Sequence, residues 1–201
     1  WMDVDVDGET IANEQGTCVL IGGPINQTPL TLSEGNDSSS SIQATQNDSA
    51  VQDTGQWQVS QSTSQFDDSP TIVLTLPSLT TLTKPYGGFD VPRLILRCKE
   101  NTSVVYVIVA DHFLSDTQSY GKVQYRLDDG SARTVAMRNS TDNKALGLWS
   151  GNKSIPFMKA LFGKGRLIMR VTPFNESPVE FEFDISELDT AIEPLRKACH
   201  W

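Results

Sequence analysis

Histidine, cysteine and long apolar runs are all scarce in this chain, and each shortage removes a class of function. Only two histidines and three cysteines occur among 201 residues. A hydrolytic triad needs a histidine base beside a nucleophile, and neither His112 nor His200 lies in a recognisable nucleophile motif. No Cys-x-x-Cys-type or His-x-x-x-His-type pair is present, so a zinc centre built on such pairs is excluded. No phosphate loop occurs either: Gly147, Gly151, Gly163 and Gly165 lack its spacing and its Lys-Ser/Thr ending. No apolar run approaches the roughly 20 residues of a membrane-spanning helix. The net charge is −9 with a pI near 4.6, and Lys and Arg form no block. A nucleic-acid backbone or an anionic membrane surface is therefore not an expected partner. The chain begins at Trp1 with no signal-peptide pattern, and the expectation is that a leader has been removed.

What is present divides into three stretches. Residues 1–32 hold a short apolar run, Cys18 to Ile21, that reads as a strand, preceded by an acidic loop. Asp3, Asp5, Asp7, Gly8 and Glu14 fit the pattern D-x-[DN]-x-[DN]-G-x5-E of calcium loops. Alternating carboxylates and a bidentate Glu would wrap a Ca2+ ion in oxygen, the glycine would make the turn, and Glu9 joins the candidate ligand set. Neither flank reads as a helix, and the alternative is an acidic strand with its aspartates in solvent. Residues 33–56 are almost wholly Ser, Asn, Asp, Gln, Thr and Gly, the composition of a flexible linker with too little apolar surface to offset ordering entropy. A domain is expected at 57–201.

Within that domain the dominant feature is a hairpin. Leu94, Leu96 and Cys98 alternate with Arg93, Ile95 and Arg97, the period of a strand with one face on a core. A polar turn over 99–103 leads into Val104-Val105-Tyr106-Val107-Ile108-Val109-Ala110, β-branched and aromatic enough for a central strand. Further strands are expected at 57–63, 71–76, 122–127, 132–138, 166–171 and 179–185, with a turn at Asp128-Asp129-Gly130. Two helices interrupt them. Ser154 is expected to cap the first, with Pro156 in its first turn, Ile155, Met158 and Phe162 on one face, and Gly163 ending it. The second starts at Ser186, spaced for a capping box with Asp189, and carries Leu188, Ile192, Leu195 and Cys199 as one apolar stripe. Pro194 predicts a kink or two short helices. The fold class is mainly β (β-rich α+β): an antiparallel sandwich or open barrel with two short helices, the C-terminal one packed on the sheet.

Cys98 lies on the core face of its strand and Cys199 on the apolar stripe of the last helix. If that helix packs on the sheet, the two sulfurs come within bonding reach, closing a loop that the chain-entropy account values at about 4.7 kcal/mol. A disulfide there predicts an oxidising compartment; the alternative is a pair of buried free thiols. Asp67, Asp68, Asp128 and Asp142 could serve acid–base chemistry, although adjacent carboxylates on a strand point apart and read more readily as turns.

The segment from Trp57 to Trp201 resembles the VasI/TagO family of type VI secretion-associated proteins. The motifs that carry the resemblance occur in one order. They are Trp57-x-Val59, Ser64-x-x-Asp67-Asp68-Ser69, the strand at Val73, Leu96-Arg97-Cys98-Lys99-Glu100-Asn101-Thr102 and Tyr125-Arg126-x-Asp128. Ser140-Thr141-Asp142-Asn143, Thr172-Pro173-Phe174-Asn175-Glu176-Ser177-Pro178, Phe183-Asp184 and Leu195-Arg196-x-Ala198-Cys199-x-Trp201 follow. The resemblance implies an exported periplasmic or extracellular accessory protein of a contact-dependent secretion system, without enzymatic activity or cofactor. Cys98 and Cys199 both fall on its motifs. The expected partner is a protein, such as a component of the secretion apparatus. Trp57, Tyr106, Tyr125, Trp149 and Phe174 are candidates for aromatic contacts, with Trp149 and Phe174 put forward as binding residues. Two other readings stand beside this one. In the first, the chain is a small secreted calcium-dependent hydrolase using the aspartates above. In the second, it is a phage-borne or surface-displayed binding protein that reuses the domain.

Overall fold

The computed structural model describes residues 54–201. The segment 1–32 with its candidate calcium loop, and nearly all of the expected linker, lie outside the described residues.

The chain order is β1 (Gln58–Thr63), β2 (Pro70–Pro77), β3 (Leu82–Thr83), β4 (Phe89–Asp90), β5 (Arg93–Lys99), β6 (Thr102–Ile108), β7 (Lys122–Leu127), β8 (Arg133–Ala136), β9 (Arg138–Asn139), β10 (Ala145–Leu148), α1 (Gly151–Ala160), β11 (Arg166–Val171), β12 (Val179–Asp184), α2 (Leu188–Ala191) and α3 (Glu193–Ala198). Strands β1-β2-β5-β6-β10-β9 form a six-stranded antiparallel sheet, and β12-β11-β7-β8 form a four-stranded one. A two-stranded hairpin, β3–β4, stands apart. The fold is β-rich, with antiparallel sheets, short helices and no closed barrel. Among the described residues no helix is long and apolar enough to cross a membrane.

The β5–β6 hairpin lies in the middle of the larger sheet. Leu94, Leu96 and Cys98 point inward and are fully buried, as are Val105 and Val107 of β6. Each such aliphatic side chain contributes about 1.5–3 kcal/mol by leaving water. Lys99 pairs with Thr102, so the turn is tighter than the polar run predicts: Glu100 and Asn101 alone make it, both at positive φ (49° and 55°), as in a type I′ turn. The core is continuous across both sheets, with Leu167, Met169, Phe181 and Phe183 from the smaller one.

Three expectations need correction. The single strand expected over 132–138 is two strands in different sheets, β8 and β9. Met137, almost completely buried, sits at the crossover and donates its N–H to the Gly121 carbonyl. Helix α1 starts earlier than expected, with Ser150 at its N-cap, which moves Pro156 out of the first turn. Ser154 is a buried residue of the helix instead of its cap, and donates to the Ser103 carbonyl at 2.6 Å. The buried face is Ser154, Phe157, Met158 and Leu161, while Ile155 and Phe162 are half-buried. The capping box also fails to form. Ser186 Oγ donates to Asp184, Asp189 accepts from the Gly163 N–H, and left-handed Glu187 (φ 63°) occupies the N-cap of α2.

The C-terminal stripe is as expected: Leu188, Ile192, Leu195 and Cys199 are all buried. The segment is two short helices, with Pro194 in the first turn of α3. Helix α3 lies against β2 and β5, and Cys98 and Cys199 form a disulfide with their Cα atoms 5.9 Å apart. Trp201 closes the end by donating its indole N–H to Ser103 Oγ at 2.8 Å.

Candidate interaction surfaces

Two surfaces bring exposed and half-buried aromatic side chains together. The first is made where the chain leaves β6. Ala110 and Asp111 take positive φ (44° and 62°), and the resulting turn, closed by the His112 N–H on the Val109 carbonyl, throws Phe113 outward. The loop Thr172-Pro173-Phe174-Asn175-Glu176-Ser177-Pro178 meets it from β11. Asn175, a residue type that tolerates the left-handed region, takes φ 58° there. Phe174 packs edge-on against Phe113 with centroids 5.9 Å apart and tilts against Tyr120 at 5.3 Å. Phe113 is 52% exposed and Phe174 39%.

The two loops are clamped. The Phe174 N–H donates to the Phe113 carbonyl at 2.9 Å. His112, only 5% exposed, places Nδ1 2.8 Å from Glu176 Oε2 and Nε2 3.1 Å from the Thr83 carbonyl. Both partners are acceptors, so each ring nitrogen must donate for both contacts to be hydrogen bonds. His112 thus joins the β3–β4 hairpin and both aromatic loops at one buried point. Asp111 extends the clamp outward through an ion pair with Lys84 at 2.9 Å, which holds its carboxyl below the usual range.

The second surface lies on the face of the six-stranded sheet opposite the core. Tyr106 points outward there and faces Gly147 across the β6–β10 pair. A Cβ on Gly147 would stand 2.6 Å from Tyr106 Cβ and 2.9 Å from the Trp149 ring. The glycine is what lets Trp149 fold back flat over its own strand. The two rings stack with centroids 5.2 Å apart, and the Trp149 indole donates to the Arg138 carbonyl at 2.9 Å. The Arg97 guanidinium sits over the Tyr106 ring at 5.9 Å. Burial pushes the Tyr106 hydroxyl above its usual pKa, and the Arg97 charge opposes that shift. Trp149 borders two hollows, one of 550 Å³ on this face towards Arg97 and Lys99, and one of 710 Å³ on its other side, between Lys153 and Pro156 of α1 and Tyr125 and Thr134 of the smaller sheet.

The family model described as Type VI secretion system VasI, EvfG matches residues 21–201. This chain belongs to the VasI family. The match begins upstream of Trp57, so the VasI signal also runs through the polar stretch read as a linker. The crystal structure of invasion associated protein b from Bartonella henselae aligns with a TM-score of 0.45 at 10% identity, over 74% of this chain and 96% of that one. No curated relative matches the sequence.

The VasI motifs and the expected site residues can now be placed. Trp149 and Phe174, both named from sequence, sit on separate surfaces. Trp57 is core, 2% exposed, and Tyr125 packs edge-on against Phe157 at 5.2 Å. Phe113, Tyr120, Arg97 and the His112–Glu176 pair were not named as binding residues. Phe113 lies past the end of a strand, where no periodicity marks it. The aspartates do not converge. Asp67 accepts from Ser69 within the β1–β2 turn, Asp128 from the Gly165 and Arg166 N–H groups, and Asp142 from Ser140 within the β9–β10 turn. Each carboxyl is held below its ordinary pKa, Asp67 by Ser64 first and then Ser69, Asp128 by the Arg166 N–H first, and Asp142 by Ser140 first, the opposite of what a general acid needs. Among the described residues no group of three or more His, Cys, Asp or Glu could hold a metal ion. The candidate ligands Asp3, Asp5, Asp7, Glu9 and Glu14 are outside the described residues.

Proposed function

We propose that this VasI-family protein is a non-enzymatic accessory protein of type VI secretion that acts in the periplasm by holding a protein partner. The observation that carries the reading is the clamped cluster of Phe113, Phe174 and Tyr120. Exposed aromatic rings held on ordered backbone lose little entropy on binding and are the residue types that dominate contact energetics. The clamp is built from a family motif, 172–178, and from the buried His112 held between Glu176 and the Thr83 carbonyl, so the sequence invests structure in presenting these rings. The Cys98–Cys199 bond fits an oxidising compartment reached after removal of a leader. Aspartates tied into turns, or in the case of Asp128 to the start of β11, support the non-enzymatic part of the reading.

The test is complementation. A strain lacking the gene is supplied with the wild-type chain or with the doubly substituted Phe113→Ser, Phe174→Ser chain, and type VI-dependent secretion is measured. The substituted chain should accumulate to the wild-type level and leave secretion near that of the deletion strain. Normal secretion by that variant would overturn the reading.

A further inference from the structure

We infer that the surface around Trp149, from the outer face of the six-stranded sheet across to helix α1, binds an acidic segment of a protein partner. The inference rests on the reading of this protein as an interaction module and names the chemistry of one partner segment. The chain's net charge of −9 comes entirely from residues 1–53, which hold nine Asp and Glu and no Lys or Arg, so residues 54–201, with 16 charges of each sign, are neutral overall. Against that neutral background the two hollows that share Trp149 are bordered by Arg97, Lys99, Arg138 and Lys153, with Glu100 the one carboxylate. Lys99 is compensated by Glu100 at 3.5 Å, and Arg138 is paired with Asp116. Arg97 and Lys153 have no carboxylate partner among the described residues, and they flank Trp149 on its two sides.

Arg97 is the more telling of the two. Its Nε is buried with no hydrogen-bond partner, and its guanidinium is fixed over the Tyr106 ring. An arginine held beside an aromatic ring keeps its remaining N–H donors available, and a carboxylate is the planar acceptor that matches their fork. Beside it, the Trp149–Tyr106 stack offers apolar area to the backbone and methylenes of the same segment. Asn139, Ser140 and Thr141 border the hollow on the Arg97 side and add neutral hydrogen-bonding groups. The cationic lining of these hollows also steers an acidic segment towards this face.

The experiment measures fluorescence anisotropy of a labelled oligoglutamate peptide against the full chain at low ionic strength, with oligolysine as counter-probe. Oligoglutamate should bind despite the unfavourable net charge, and its affinity should fall as salt is raised. Arg97→Gln and Lys153→Gln should each weaken it about tenfold, the scale of one lost charge-assisted hydrogen bond. Arg170→Gln, at a guanidinium paired with Glu180 on the other sheet, should leave it unchanged. Trp149→Phe keeps an aromatic ring and should abolish the binding-induced change in tryptophan emission. Absence of oligoglutamate binding, or equal affinity in the Arg97→Gln, Lys153→Gln double variant, would overturn the inference. Sedimentation with phosphatidylglycerol vesicles that depends on Arg97, without oligoglutamate binding, would also overturn it and reassign the face to a lipid surface. If the peptide fails to bind while the Phe113, Phe174 variant still abolishes secretion, the acidic-segment inference falls and the proposed function stands.

Discussion

The carboxylate of Asp128 reaches from the β7–β8 turn to the backbone that opens β11. Its Oδ1 accepts from the Gly165 N–H at 3.0 Å and the Arg166 N–H at 3.1 Å, and Lys164 lies 3.4 Å from Oδ2. The Arg166 N–H is the largest cause of a pKa held below the usual carboxylate value. A carboxyl whose pKa is lowered by folding adds stability above its unfolded value of about 3.9 and loses it as pH falls through the folded value. Asp128→Asn should therefore melt below wild type at neutral pH, and the gap should close as the pH is lowered past about 4. Thermal melts across that range check this, and a gap independent of pH would show that the charge is immaterial. Asp128 was legible as a turn residue because Asp-Asp-Gly separates two alternating runs. Its grip on β11 was not, since nothing in a local spacing marks a partner 38 residues away. The same limit hid the His112–Glu176 pair, whose members are 64 residues apart.

At the scale of elements, strands were legible where side chains alternate and are branched at Cβ. β5, β7 and β11 fall where the pattern puts them. β10 was not expected, because Ala145-Leu146-Gly147-Leu148 has no β-branched residue and includes a glycine, so its pairing with β6 and β9 is what makes it a strand. The same glycine gives Trp149 its place. α2 and α3 were legible through their apolar stripe, and the stripe also carried the disulfide. The loop it closes spans 101 residues, so removing the bond by Cys98→Ser with Cys199→Ser should cost about 2–5 kcal/mol. That corresponds to a fall in melting temperature of roughly 10 °C. Reduction of the wild-type chain should reproduce the fall. An unchanged melting temperature in both would mean that the packing of α3 on β2 and β5 suffices alone.

Over the whole molecule, the described domain is a β scaffold whose chemistry lies on its surfaces. Its candidate aspartates Asp67, Asp128 and Asp142 are held by turn and backbone donors, its two aromatic surfaces are built on hydrogen-bonded backbone, and its last turn is held by Cys199 and Trp201. Family membership could be read from motifs in order, because several of those motifs perform structural tasks. Leu96–Thr102 holds the disulfide and the tight hairpin turn, and Thr172–Pro178 clamps the aromatic loops. The aromatic cluster as a surface could not be read, because its members come from two loops that meet only in the fold. The central claim is that this cluster holds a protein partner in the working secretion system. The direct measurement is photo-cross-linking in the native host from a phenylalanine analogue placed at Phe174, with the exposed Gln61 on β1, an edge strand of the six-stranded sheet, as control. A discrete adduct from position 174 that requires an intact type VI gene cluster is expected. Adducts identical from both positions, or unchanged when that cluster is deleted, would contradict the claim.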